Sequence, residues 1–208
     1  MHNLVVVWLL SAAAVWAQYK VEPAGTHPPD LPAAIAETLQ KDGVKVTADN
    51  GTVVCEMWFR TSAPSGPKTS EEGVAIPTIP HGALIGVVRF SGNGGSDRRG
   101  QRIKPGVYTL RYSLQPVNGD HLGVAPQRDF LVMTPLADDK NPGALPGFDE
   151  LMAMSRKASG TPHPAVLSMA SSSLGKFPDV AKEGENDWVL HTKIGEVAVG
   201  VIVVGKVE

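Results

Sequence analysis

The chain of 208 residues contains one cysteine, which excludes an intramolecular disulfide framework and a cysteine-built zinc site. Charge is scarce and balanced. Nineteen Lys and Arg face 21 Asp and Glu, a net charge of −2, so the basic footprint of a nucleic-acid binder is missing. No apolar run is long enough for a membrane helix. A bilayer core of about 30 Å takes roughly 20 residues, and the runs at 4–15 and 197–204 fall short of that. The familiar chemical motifs are missing too: HExxH, a GxSxG elbow, a Walker loop, a dinucleotide-binding glycine fingerprint. Nothing in the sequence therefore implies a cofactor.

Glycine and proline, by contrast, are abundant at 22 and 17 residues, so the chain turns often. Residues 4–15 (LVVVWLLSAAAV) form an uncharged apolar run, followed by Val15, Trp16 and Ala17, with small residues at the two positions a signal peptidase reads. Residues 1–17 are thus predicted to be a signal peptide, although Met1, His2 and Asn3 bring no Lys or Arg. The mature chain is expected to start at Gln18 and to be secreted or periplasmic.

Along that mature chain, residues 18–29 are polar and proline-rich and read as an extended arm. Asp30 is placed to cap a helix carrying Leu31, Ile35 and Leu39 on one face, with Gly43 closing it. Asn50-Gly51 then joins two strands, a pair suited to a type I′ hairpin. In the second of these strands Val53, Cys55, Met57 and Phe59 share the core face, which makes Cys55 a buried, inert thiol. Further strands are predicted over 83–91, with Leu84, Gly86, Val88 and Phe90 inward, over 107–114 and over 129–134. Residues 149–158 read as a second helix, acidic at its start and basic at its end. The strands 188–194 and 197–204 close the chain as a hairpin. About eight short strands and two short peripheral helices imply a mainly β fold, a single antiparallel β-sandwich domain over 18–208.

Three groups of residues are candidates for a site. The segment 115–129 (QPVNGDHLGVAPQRD) holds Asp120 beside His121, and Arg128 beside Asp129. A carboxylate next to an imidazole suits a general base or a divalent metal, with His81, His163 or His191 as the third group. Equally, Asn118 and Asp120 suit a turn bonded to its own backbone, with Arg128 paired to Asp129. The loop 97–104 (DRRGQRIK) brings Arg98, Arg99 and Arg102 together, and guanidinium forks fit the carboxylate or sulfate of a glycan or protein partner. Trp58, flanked by Glu56 and Arg60, is either a sugar-stacking platform or a residue covered by the first helix or a second sheet. Blue copper fails on spacing, because Cys55 has no histidine nearby.

The stretch 103–114, opening IKPGVYTLRY, resembles the proline-glycine turn and Tyr-Thr-Leu strand of transthyretin-like and immunoglobulin-like modules. With GDHLGVAPQRDFLVMTP and the terminal DWVLHTKIGEVAVGVIVVGKVE, residues 83–208 resemble a family of secreted bacterial β-rich proteins with no assigned activity. The resemblance implies export and a β-rich fold and supplies no site residues. The leading functional expectation is a non-catalytic exported protein that binds a glycan or a cell-envelope protein through its loops. The ligand-binding candidates are Trp58, Arg98, Arg99, Arg102, Asp120, His121 and Arg128. The alternative is a metal-binding protein or metal-assisted hydrolase built on Asp120 and His121.

Overall fold

The computed structural model describes residues 18–117 and 128–206. The predicted signal peptide, residues 1–17, and the pair Asp120 and His121 lie outside the described residues. Ten strands form one antiparallel sheet: β1 (Tyr19–Thr26), β2 (Asp42–Ala48), β3 (Val53–Phe59), β4 (Leu84–Phe90), β7 (Gly106–Leu114), β8 (Asp129–Pro135), β9 (Val166–Ser171), β10 (Asp179–Glu183), β11 (Asp187–Ile194) and β12 (Val197–Val204). A small ribbon of β5 (Gly95–Ser96) and β6 (Arg102–Ile103) stands apart in the glycine-rich loop. The helices are α1 (Ala33–Ala36) and α2 (Phe148–Ser159). No described helix is long and apolar enough to cross a membrane.

The mainly β, antiparallel character matches the sequence reading; among the described residues the ten longer strands form one nearly closed sheet. Strand order runs β1-β2-β3-β4-β7-β8-β9-β12-β11-β10, so these ten strands belong to one sheet that curls until β1 and β10 face each other. A sheet that curls this far keeps a single interior, whereas a sandwich breaks into two faces. The interior is packed with side chains, among them Val46, Met57, Phe59, Leu110, Tyr112, Leu131, Met133, Leu190 and Val201. The helices pack outside. Leu31, Ile35 and Leu39 cover Trp58, Leu84 and Val87 on β3 and β4, while Leu151 and Met152 of α2 cover Phe130, Val132 and Val166 on β8 and β9.

Local chemistry explains where the strand pattern slips. The β2–β3 connection is not a type I′ turn: among the described residues only glycines have positive φ, so Asn50 does not take the left-handed conformation. Gly51 N–H donates to Ala48 O at 2.9 Å, Ala48 N–H donates to Thr52 O at 2.9 Å, and Gly51 has φ 83°. This is a three-residue loop, a type I turn followed by a left-handed glycine. The Asn50 side chain favours it by accepting Thr52 N–H at 2.9 Å. In β4 the pairing register shifts between Leu84 and Gly86. The bulge changes the phase of the alternation, so Ile85, Val88 and Phe90 face the interior while Leu84 and Val87 lie under α1. Gly86 is needed at that step, since a Cβ there would sit 2.4 Å from Trp58 O.

The first helix is a single turn, with Pro32 at its N-cap position and no side-chain cap, so Asp30 does not cap it. Gly43 belongs to β2, where a Cβ would come within 2.4 Å of the Trp58 indole nitrogen. Residues 19–26, expected as a free arm, pair with β2 as the first strand. The second helix follows its sequence signals: Asp149 and Glu150 open it, Arg156 and Lys157 close it, and Gly160 ends it with φ 68°. Cys55 is buried on the inner face, and burial, with the Glu56 charge beside it, pushes its thiol up to about 12, as an inert thiol requires.

Candidate functional site

Among the described residues the ten-stranded sheet ends at β1 and β10, and the seam between these two strands is unpaired. Each is hydrogen-bonded on one side, β1 to β2 and β10 to β11. A cleft of about 790 Å³ follows this seam, inside the roughly 300–1,000 Å³ range of ligand sites. One wall is Tyr19, Lys20, Val21, Glu22 and Pro23 of β1, and the other is Lys176, Phe177, Pro178, Asp179 and Val180. Gly43, Val44 and Thr192 also line it, together with Gln40 and Lys193. Near Tyr19 the walls are joined by its edge-on contact with Trp188, with centroids 5.0 Å apart. Near Gln40 the link is its Nε2 donating to Lys193 O at 3.1 Å.

The lining alternates because strands alternate. Val21 and Val180 pack toward the interior, Val21 between Lys20 and Glu22 and Val180 after Asp179. Lys20 and Lys45 lie 2.8 and 3.3 Å from Glu22. With Thr47, they hold the Glu22 carboxyl at about 2, well below the usual carboxylate range. Lys193 Nζ stands 5.8 Å above the Phe177 ring and 3.5 Å from Glu196. The cleft thus offers apolar contacts, balanced charge and the outward backbone groups of two sheet edges. Edges of this kind are normally guarded. Here Pro23 and the bulge between Pro23 and Gly25 guard one end of β1, and Pro178 precedes β10.

The sequence-derived site residues do not converge. Trp58 is fully buried under α1 and donates from Nε1 to Gly25 O at 2.9 Å, so no ring face is open for a sugar. Arg98 forms a bidentate pair with Asp187 at 2.5 and 2.9 Å. It lines a second cavity of about 550 Å³ with Phe90, Val203 and Lys206. Arg102 is exposed and reaches Asn93 O at 3.3 Å, and Arg99 is half-buried. The loop carrying them folds around buried Asp97, which accepts from Arg99 N, Gln101 N and Gln101 Nε2. Arg128 bonds Gln115 O, Glu72 O and Glu71, not Asp129. Asp129 instead accepts Ala75 N, Ile76 N and the Tyr112 hydroxyl, tying the long 61–82 connection to the barrel. Burial pushes the Tyr112 phenol up, and its bond to Asp129 adds to that.

His81 bonds Ser113 at 3.1 Å, His163 is exposed, and His191 bonds Ser172 at 2.8 Å. Among the described residues no three His, Cys, Asp or Glu side chains gather to hold a metal. Sequence reasoning missed both the seam and the pair of Arg111 and Asp139. β1 read as an arm, β10 gave no alternation, and Arg111 and Asp139 stand 28 residues apart in the chain. No family model, no curated protein and no solved structure matches this chain.

Proposed function

We propose that the chain is an exported binding protein that takes a short extended peptide, a segment of a cell-envelope protein, in the seam between β1 and β10. The observation that carries this is the facing of two unpaired sheet edges across a cleft of ligand size. Backbone N–H and C=O groups of an incoming strand find partners on such an edge, while alternate side chains enter the cleft. Val21 and Val180 favour apolar residues at every second position, and Lys20, Glu22 and Lys193 favour polar ones between them. The apolar run at 4–15, followed by Val15, Trp16 and Ala17, supports export. This reading moves recognition from the loops to the sheet edge, and with Trp58 covered it favours a peptide over a glycan.

The test is an array of eight-residue peptides probed with the mature protein. Bound sequences should alternate apolar and polar residues. Val180→Arg, which fills the cleft, should weaken them by about tenfold or more, equivalent to roughly 1.4 kcal/mol. Arg102→Ala, on the distant exposed loop, should leave affinity unchanged. Peptide binding that survives Val180→Arg in a protein with an unaltered circular dichroism spectrum would sink the proposal.

A further inference from the structure

A second site lies on the outer face of the barrel, where β9, β12 and β11 run side by side. His191 of β11 stands opposite Gly200 of β12. A Cβ at Gly200 would lie 3.6 Å from the ring's Nδ1 and Cε1, so the imidazole lies across the gap glycine leaves. Crossing β12 in this way, Nδ1 comes to 2.8 Å from Oγ of Ser172, just beyond the end of β9. Ser172 is itself positioned: its N–H donates to Ala198 O at 3.2 Å, and its Oγ accepts Leu174 N–H at 3.3 Å. On the far side of the ring, Nε2 lies 3.1 Å from Oε1 of Glu183 on β10. At that distance the carboxylate is near the ring nitrogen but makes no aligned hydrogen bond with it. Glu183 is 55% exposed, so its carboxylate is open to solvent beside the ring.

A hydroxyl within hydrogen-bond reach of an imidazole, with a carboxylate at the other ring nitrogen, is the arrangement that activates serine as a nucleophile. We propose that Ser172 is such a nucleophile, with His191 as general base and Glu183 as the positioning carboxylate, acting on short-chain acyl esters. The site stands independently of the seam. Ser172 Oγ attacks the ester carbonyl and its proton passes to His191 Nδ1. The bond from carbonyl carbon to alcohol oxygen then breaks, and the alcohol leaves with that proton. Water adds to the acyl-serine by the same route, releasing the carboxylic acid and restoring Ser172. Donation to Nδ1 leaves the ring's own proton on Nε2, on the side of Glu183. Exposed Leu174 flanks the serine on an open face, which suits a short acyl group on a surface-borne alcohol. The other serine–histidine pair, Ser113 with His81, is a built-in comparison: Ser113 is fully buried and closed to substrate.

A fluorophosphonate probe, whose phosphorus takes the serine oxygen as fluoride leaves, tests this on the folded mature protein. Peptide mapping should place the adduct on Ser172, with none on Ser113. Ser172→Ala should abolish labelling and the hydrolysis of p-nitrophenyl acetate above the solvent rate. His191→Gln should slow labelling by about 100-fold or more, the range for a general base. Because His191 is buried, exposed Glu183→Gln is the companion variant, expected to fold normally and label more slowly. Labelling absent from Ser172, spread evenly over Ser171, Ser172 and Ser173, or unchanged in Glu183→Gln would overturn the assignment.

Discussion

Asp139→Ala is expected to destabilise the protein by about 3–5 kcal/mol, the cost of stranding one half of a buried ion pair. Arg111 is fully buried on the outer side of β7, and all five of its donors are used. Nε and Nη2 bond the two Asp139 oxygens at 2.6 Å each, and Nη2 also bonds Asn141 O at 2.8 Å. Nη1 bonds Gly82 O at 2.6 Å and Ala144 O at 2.7 Å. One guanidinium therefore pins the 139–144 loop and the entry to β4 onto the barrel wall. Removing Asp139 leaves the buried guanidinium in place without its counter-ion.

The same pair sets a pH dependence. Burial alone would raise the Asp139 carboxyl; hydrogen bonds from Arg111, Thr109 and Thr134, with the Arg111 charge, outweigh it and hold the carboxyl below the usual carboxylate range. A group depressed in the folded state contributes stability above its unfolded pKa of about 3.9. That contribution is lost as pH falls through the lower, folded value. Urea titrations at pH 7 and pH 3 should therefore show the wild type losing stability in acid and Asp139→Ala losing less. Equal acid sensitivity in the two proteins would remove Asp139 as a source of the effect.

Trp58→Ala is expected to cost about 3–5 kcal/mol as well, through the cavity left by a large buried ring. The indole is the centre of the outer cluster of Leu31, Ile35, Leu39, Leu84 and Val87. It bonds Gly25 O, abuts Gly43, and carries Arg89 at 5.4 Å over its face, where Arg89 is held by Glu56 at 2.6 and 2.8 Å. A four-residue helix has no independent stability in water, so α1 stays in place only because this cluster holds it. Trp58→Phe should retain much of the packing and lose about 1 kcal/mol for the hydrogen bond. Chemical denaturation of the two variants separates these contributions. A Trp58→Ala protein as stable as wild type would contradict the buried assignment.

Much of this fold was legible because local patterns survive tertiary packing. In the strand predicted over 107–114, Tyr108, Leu110, Tyr112 and Leu114 alternate inward, α2 keeps its charge order and its glycine stop, and Val197–Val204 closes on β11. What failed depended on partners distant in the chain. The proline-rich segment before α1 contains β1 because β2 offers it an edge, a pairing no local window reports. The β4 alternation read correctly at Val88 and Phe90 and failed at Leu84, across the bulge in the pairing with β7. Closure of one sheet into a near-barrel depends on curl accumulated over ten strands, and eight predicted strands fit two layers equally well. The charged residues misled for a related reason. Arg98, Arg128 and Trp58 look like surface handles until Asp187, Glu71 and α1 cover them. The seam residues Val21 and Val180 carry no motif and become a site only because the first strand and a late one end side by side.

Hydrogen exchange read amide by amide addresses the seam most directly, since exchange reports which backbone groups lack a stable partner. In the free protein the outward amides of β1 and β10 should exchange quickly, while those of β3, β4 and β7 stay protected. Adding a peptide from the array should slow β1 and β10 first and leave the 93–103 loop unchanged. Protection of β1 and β10 equal to the central strands before any peptide is added, or peptide-induced protection confined to other strands, would contradict a binding site at the seam.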